Sequence, residues 1–252
     1  MRISACIITL DAGATLDGCL ASLDFADEIL VRDQGSTDGT LAVCERHGAR
    51  VVRGEWLGFG PTKAAAAAAA RNRWILSVDA DERITPELGA AIRALPDDPA
   101  PAAYAVNRLS RFLGRWMRHC GWHPDWVVRL FDRERAGFND LQVHESVVTE
   151  ARIERLEGLL LHEAYDSLGQ WLAKQDRYGS LAAETAAARG ERGSVLRAFA
   201  RGHLAFLRTY LLQQGWRDGA HGLALCQLTA FATYLKHLKI WLATRDREDK
   251  PS

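Results

Sequence analysis

The chain lacks any run of about 18 to 20 uninterrupted apolar residues, the length a helix needs to span a bilayer, so no membrane-crossing segment is expected. It lacks the pattern of a secretory leader too, because the N-terminal apolar run Ile3 to Leu10 is only strand-length and ends at an acid. Net charge is zero, from 32 basic and 32 acidic residues. No Cys-x-x-Cys pair occurs among its five cysteines, and an odd count without a disulfide framework suits reduced thiols in the cytosol. The segment His119-Cys120-Gly121-Trp122-His123 has no matching Cys or His pair nearby, which argues against a structural zinc site and leaves ordinary loop or interface residues. What remains is a chain of 252 residues, long enough for one full core or for one domain with a helical extension.

The most informative stretch present is Trp74-Ile75-Leu76-Ser77-Val78-Asp79-Ala80-Asp81-Glu82. An apolar run of β-formers leads straight into two carboxylates one residue apart. Residues i and i+2 of a strand share a side, so Asp79 and Asp81 are expected to converge just past the strand's end. Hard oxygen ligands converging there suit Mg²⁺ or Mn²⁺ carrying a phosphorylated substrate.

Two further strand-to-loop transitions precede it. Arg2 to Thr9 reads as a buried strand, and Glu28 to Asp33 as a second one running into Gln34-Gly35-Ser36-Thr37-Asp38-Gly39, where Ser36 or Asp38 can cap the next helix. Ala49 to Arg53 reads as a third. Helical segments are expected at Ala14 to Leu23, Gly39 to His47 and Pro61 to Arg71, the last containing the strongly helix-forming alanine run Ala64 to Ala70. This alternation predicts an α/β domain with a mainly parallel sheet, and such sheets bind ligands beyond the carboxyl ends of their strands. Asp11, Asp33 and the Asp79/Asp81 pair all fall at such ends.

The order Ile7-Ile8-Thr9, Asp33-Gln34-Gly35-Ser36-Thr37-Asp38 and Asp79-Ala80-Asp81-Glu82 resembles the nucleotide-sugar domain of family 2 glycosyltransferases. Trp56 to Lys63, Phe112 to Trp116, Gly121 to Asp125, Arg129-Leu130-Phe131, Val143-His144-Glu145, Leu161-His162 and Asp218 to Gly222 resemble the bacterial lipopolysaccharide core glucosyltransferases that act on heptose. The resemblance implies a GT-A type nucleotide-sugar-binding domain over residues 1–164 and an amphipathic helical extension over 165–252. It implies an inverting transfer of a sugar, glucose in this family, from a UDP-sugar to an inner-core heptose, assisted by Mg²⁺ or Mn²⁺. It further implies that Thr9 and Asp11 contact the nucleotide, that Asp33 accepts from the uracil N3–H, and that Lys63 approaches the base or diphosphate. Asp81 would hold the metal, Asp79 would bind the metal or the donor ribose, and His162 would be a third ligand or a structural residue. Glu145 matches the family's His-Glu position for the base that deprotonates the acceptor, with His144 as its competitor. Two departures stand out: Leu10-Asp11-Ala12 where the family has Lys-Asn-Glu, and Thr62-Lys63-Ala64 where it has Gln-Lys-Asn.

Charge is unevenly placed. From Arg189 onward there are eleven Lys or Arg against five Asp or Glu, in segments rich in Leu, Phe, Trp and Tyr. Val195 to Leu212 and Gly219 to Leu242 read as amphipathic helices that either pack on the rest of the chain or lie on the inner face of an anionic cytoplasmic membrane. Arg108, Arg111, Arg115 and Arg118, spaced three, four and three apart, share one face if the segment is helical. They are either acceptor or lipid-headgroup contacts or a solvated face. A polyprenyl-phosphate or other cell-envelope glycan transferase would use the same donor domain, and a degenerate nucleotide-sugar-binding scaffold is the non-enzyme alternative. Against the scaffold stand Asp79, Asp81 and Glu145. A phosphatase would put its Asp-x-Asp on the first strand, which here ends in Thr9-Leu10. No nucleic-acid partner is expected.

Overall fold

The computed structural model describes residues 1–139, 146–165 and 167–245. The chain divides into two compact units, the first made of residues 1–109 and 124–163, the second of residues 110–123 and 164–252.

The first unit opens with β1 (Ile3–Thr9), α1 (Gly13–Ala21), β2 (Glu28–Asp33), α2 (Thr40–Arg46), β3 (Arg50–Arg53), α3 (Phe59–Ala69) and β4 (Trp74–Ser77). After it along the chain come β5 (Glu82–Ile84), α4 (Pro86–Arg93), β6 (Ala103–Phe112), the short β7 (Arg115–Trp116), β8 (Asp125–Asp132), β9 (Gly137–Phe138), β10 (Val147–Val148) and β11 (Ile153–Tyr165), of which β7 and the last residues of β6 and β11 belong to the second unit. The main sheet runs in the order β3-β2-β1-β4-β8-β6-β11-β5. Its parallel character is confined to β3, β2, β1 and β4, the strands linked by α1, α2 and α3. From β4 onward the pairings of β8 with β4 and β6, and of β5 with β11, are antiparallel, so the sheet is mixed rather than mainly parallel. The switch follows from the connections: only a helical crossover brings a strand back parallel, and none joins β6 to β8.

β1 is buried from end to end and shows the period-2 rule of a strand covered on both faces. Ile3, Ala5 and Ile7 face a core with Leu16, Leu20 and Leu23 of the α1 segment, whereas Cys6 and Ile8 face another with Ala66, Ala67 and Phe131. The alanine run of α3 is thus a packing device. Its small side chains bring the helix so close to the sheet that the Cys6 thiol lies 3.8 Å from the Ala66 carbonyl oxygen.

The second unit holds α5 (Leu168–Ala188), α6 (Val195–Leu207), a π-helical turn Arg208–Leu212, a 3₁₀ turn Gly215–Asp218 and α7 (Gly219–Arg245). α5 starts in a capping box between Ser167 and Gln170. A core of Phe112, Met117, Cys120, Trp171, Leu225 and Cys226 gathers the helices around residues 110–123. Asp218 organises that loop, accepting from the backbone N–H groups of Arg118 (3.1 Å) and His119 (2.8 Å) and lying 2.8 Å from His119 Nδ1. No helix among the described residues is long and apolar enough to cross a membrane.

Candidate active site

The carboxyl ends of β1 and β2 are joined by a lattice of acid-to-backbone bonds. Asp33 closes β2 and is buried; it accepts from the N–H groups of Gly35 (3.0 Å) and Ser36 (3.1 Å), from Ser36 Oγ (2.5 Å) and from Thr9 Oγ1 (3.3 Å). Burial raises its pKa, but these donors outweigh burial and hold the carboxyl below the usual carboxylate range. The tight return to Asp33 needs Gly35 at φ +100°, a conformation other residues rarely adopt. Asp11 takes the left-handed region at φ +49° and ties the two loops together: its N–H donates to Ser36 Oγ (2.9 Å) and its Oδ1 accepts from the Thr37 N–H (2.8 Å). Asp38 answers from the other side, accepting from the N–H groups of Gly13 and Thr40, both at 2.9 Å. Of the expected nucleotide contacts, Thr9, Asp11 and Asp33 are therefore brought together as one shaped rim, with Asp33 already engaged by its own loop.

The Asp-x-Asp segment lies next to this rim, just past the end of β4, the neighbour of β1. β4 ends at Ser77, and the Glu82 N–H closes a turn onto the Asp79 carbonyl at 2.9 Å. Inside a turn the two-residue alternation of a strand no longer holds, so Asp79 and Asp81 do not share partners as the strand rule implies. Asp79 is claimed by two cations, Lys63 Nζ at 2.7 Å from Oδ1 and Arg129 Nη2 at 2.7 Å from Oδ2. Burial works against its ionisation, yet Arg129 and Lys63 prevail and hold the carboxyl far below its ordinary pKa. Asp81 is open to solvent over 40% of its side chain and stands 3.5 Å from Nε2 of His162 on β11. The β11 backbone clamps the pair, because the Glu163 N–H donates to the Asp81 carbonyl oxygen at 2.9 Å.

Among the described residues no three His, Cys, Asp or Glu side chains form a group that could hold a metal ion. The expected trio of Asp79, Asp81 and His162 is thus reduced, since the cations Lys63 and Arg129, one on each oxygen of Asp79, already neutralise it and repel a metal ion while leaving lone pairs for a neutral donor. The remaining pair fits a divalent cation: an accessible carboxylate and an imidazole face each other across 3.5 Å, leaving other positions for phosphate oxygens and water.

Two residues with no assigned role complete the arrangement. Glu82 is 0% exposed; it accepts from the Asp79 N–H (3.0 Å) and from Arg129 (2.5 Å), with Arg108 at 3.5 Å. Arg129 of β8 therefore bridges Asp79 and Glu82 from a buried position. The sequence signal was a cation inside the apolar run Trp126 to Phe131, where an unpaired charge is prohibitively costly.

The arginine row does not form one helical face. Arg108 and Arg111 lie on β6, and the chain then reverses through Leu113 and Gly114, both at positive φ as a two-residue hairpin demands, into β7 with Arg115. Arg108 belongs to the first unit, bonded to Asp125 at 2.8 Å. In the second unit, Arg111 sits over the Trp116 ring at 5.8 Å, while Arg115 and Arg118 are exposed. The spacing of three, four and three was met by a strand and a turn. The expected base Glu145 and its competitor His144 lie outside the described residues.

A mixed α/β sheet flanked by helices, with an acidic rim at the carboxyl edge of its parallel strands, is the architecture of a GT-A type glycosyltransferase. The Glycosyl transferase family 2 model matches residues 4–151, more than half of the chain, and the protein belongs to that family. It is similar to the lipopolysaccharide core biosynthesis glycosyltransferase LpsC of Rhizobium meliloti, 28% identical over 96% of this chain and 92% of LpsC. An uncharacterized glycosyltransferase of Rickettsia bellii is likewise 28% identical, over 95% of this chain and 86% of its own. Among solved structures, S. aureus TarS 1–349 in complex with UDP aligns over 98% of this chain and 91% of its own, with TM-score 0.51 and 16% identity, a likeness of fold.

Proposed function

We propose that the chain is an inverting glycosyltransferase that moves a sugar, glucose by the sequence resemblance, from a UDP-sugar to an inner-core heptose of lipopolysaccharide at the inner membrane surface. The observation that carries this reading is the solvent-open Asp81–His162 pair beside Asp79, at the carboxyl edge of the sheet. The acceptor class is supported by LpsC, whose name assigns it to lipopolysaccharide core biosynthesis.

In the reaction the acceptor hydroxyl oxygen attacks the anomeric carbon from the face opposite the diphosphate. The bond from that carbon to the phosphate oxygen breaks, its electron pair stays on the diphosphate, and Glu145 takes the hydroxyl proton. A divalent cation held by Asp81 and His162 supplies charge stabilisation for the leaving diphosphate when bound. Thr9 and the Asp11-braced loop bound the uridine site. Lys63 and Arg129 keep Asp79 ionised and fixed, so that it is a rigid acceptor for a donor hydroxyl such as the ribose.

The test is a transfer assay with UDP-glucose, UDP-galactose, UDP-N-acetylglucosamine and GDP-mannose against purified core oligosaccharide and against a polyprenyl phosphate. Transfer from one UDP-sugar to the core oligosaccharide, lost in Glu145→Gln with donor binding intact, is the expected result. Transfer to the polyprenyl phosphate alone would reassign the acceptor, and unimpaired transfer by Glu145→Gln would remove that residue as the base.

A further inference from the structure

Between Arg192 and Arg217 the chain carries five arginines and no acidic residue. This segment contains α6 and the π-helical turn. One side of α6 is glued to α7: Ala198 and Gly202 are buried, and a Cβ on Gly202 would come within 3.1 Å of the Ala230 carbonyl oxygen and of Tyr234 Cβ. The opposite side carries Leu196, Phe199, Leu204 and Leu207, all exposed, and Leu211 of the π turn extends the row. Leu196 is 81% exposed, an extreme for an apolar side chain set in a row with others. Their steps of three, five, three and four residues keep them on one helical stripe.

Arg197, Arg201 and Arg208 lie along one flank of that stripe, each exposed. At the start of α6, Arg192, Arg197, Arg201 and His237 line a polar pocket of about 160 Å³ beside the first turn of the helix, where unpaired N–H groups favour anions. Glu191 is the single acid on its wall. Trp216, exposed just beyond the stripe, is the kind of ring that settles at a lipid interface.

We propose that α6 and its π turn are an in-plane membrane anchor: the leucine–phenylalanine stripe enters the acyl boundary of an anionic bilayer and the arginine pocket seats a lipid phosphate. Charge selects this occupant. An acid-free arginine flank repels a second copy of itself, whereas it complements an anionic headgroup layer. The inference deepens the proposed function by giving it the surface that brings a lipid-linked acceptor to the enzyme, and it rests on that reading only for the acceptor.

The test is flotation of the full chain with vesicles of phosphatidylcholine alone or with about one third phosphatidylglycerol, with and without millimolar inorganic phosphate. Two variants are compared, Leu196→Glu/Leu207→Glu and Arg197→Gln/Arg201→Gln. Binding to the anionic vesicles only, unaffected by inorganic phosphate and weakened in both variants, about 30-fold for the two arginines, is expected. Donor hydrolysis in solution should stay unchanged, so failure of the anchor is separable from failure of the enzyme assignment. Three results overturn the proposal: equal binding to neutral vesicles, displacement by free phosphate with the leucine variant binding normally, or a dimer that Leu196→Glu/Leu207→Glu converts to a monomer.

Discussion

Replacing Arg129 with Met removes a side chain that bonds both Asp79 and Glu82. Asp79 keeps Lys63 at 2.7 Å, but Glu82, wholly buried, is left with the Asp79 N–H and with Arg108 at 3.5 Å. Removing one partner of a buried pair costs about 3–5 kcal/mol, most of it the uncompensated charge left behind. For a unit of this size that is a fall of roughly 6–20 °C in melting temperature. Arg129→Met/Glu82→Gln removes both charges while leaving an acceptor for the Asp79 N–H, so it should recover more than half of the loss. Urea unfolding of the wild type, both single variants and the double variant closes the cycle. A cost for Arg129→Met below about 1 kcal/mol, the worth of an exposed ion pair, would refute the claim that this clamp is buried and coupled. So would additive costs in the double variant.

His162→Ala should raise the divalent-cation concentration needed for half-maximal transfer by about tenfold or more; an unchanged requirement takes His162 out of the ligand pair. Asp11→Ala removes the acceptor for the Thr37 N–H and should weaken UDP binding, whereas Asp11→Asn keeps that acceptor and should bind nearly as the wild type does. Glu28, Asp33, Asp79 and Asp132 all have carboxyls below their ordinary pKa despite burial, through Ser4 and Arg50, the Ser36 loop, Arg129 with Lys63, and Arg73 respectively. Depressed carboxyls stabilise above their unfolded pKa of about 4. Unfolding free energy should therefore be level from pH 7 to about 5 and fall below about 4, and a maximum near pH 3 would contradict this. All five cysteines are buried, and burial pushes Cys6 up to about 12, so native protein at pH 8 should react with Ellman's reagent far more slowly than unfolded protein does.

The parallel half of the sheet was legible because each of its elements carries its own signal. β1 and β2 fall within a residue or two of where apolar runs leading to acids put them, β3 within a residue of the short run Ala49 to Arg53, and α3 is announced by its alanines. Val195–Leu212 is recovered as α6 continued by a π turn, a local widening that helical periodicity does not reveal. The arginine row was misleading because spacing alone cannot tell a helix from a strand followed by a turn; the β-formers of Ala103–Phe112 and Gly114 decide the matter. The clamp on Asp79 was invisible for another reason. Arg129 is 50 residues away in sequence, and only the pairing of β4 with β8 brings it home. Spacing within a motif says which acids are near each other, not which cations the fold sets against them.

The most direct test of the central claim is calorimetric titration of UDP into the protein with Mn²⁺ and with EDTA, for the wild type and Asp81→Ala. The expected result is saturable UDP binding with Mn²⁺ that disappears in EDTA and in Asp81→Ala, while the variant's unfolding is unchanged. Equal UDP binding in EDTA and in Asp81→Ala would contradict a donor site built on Asp81.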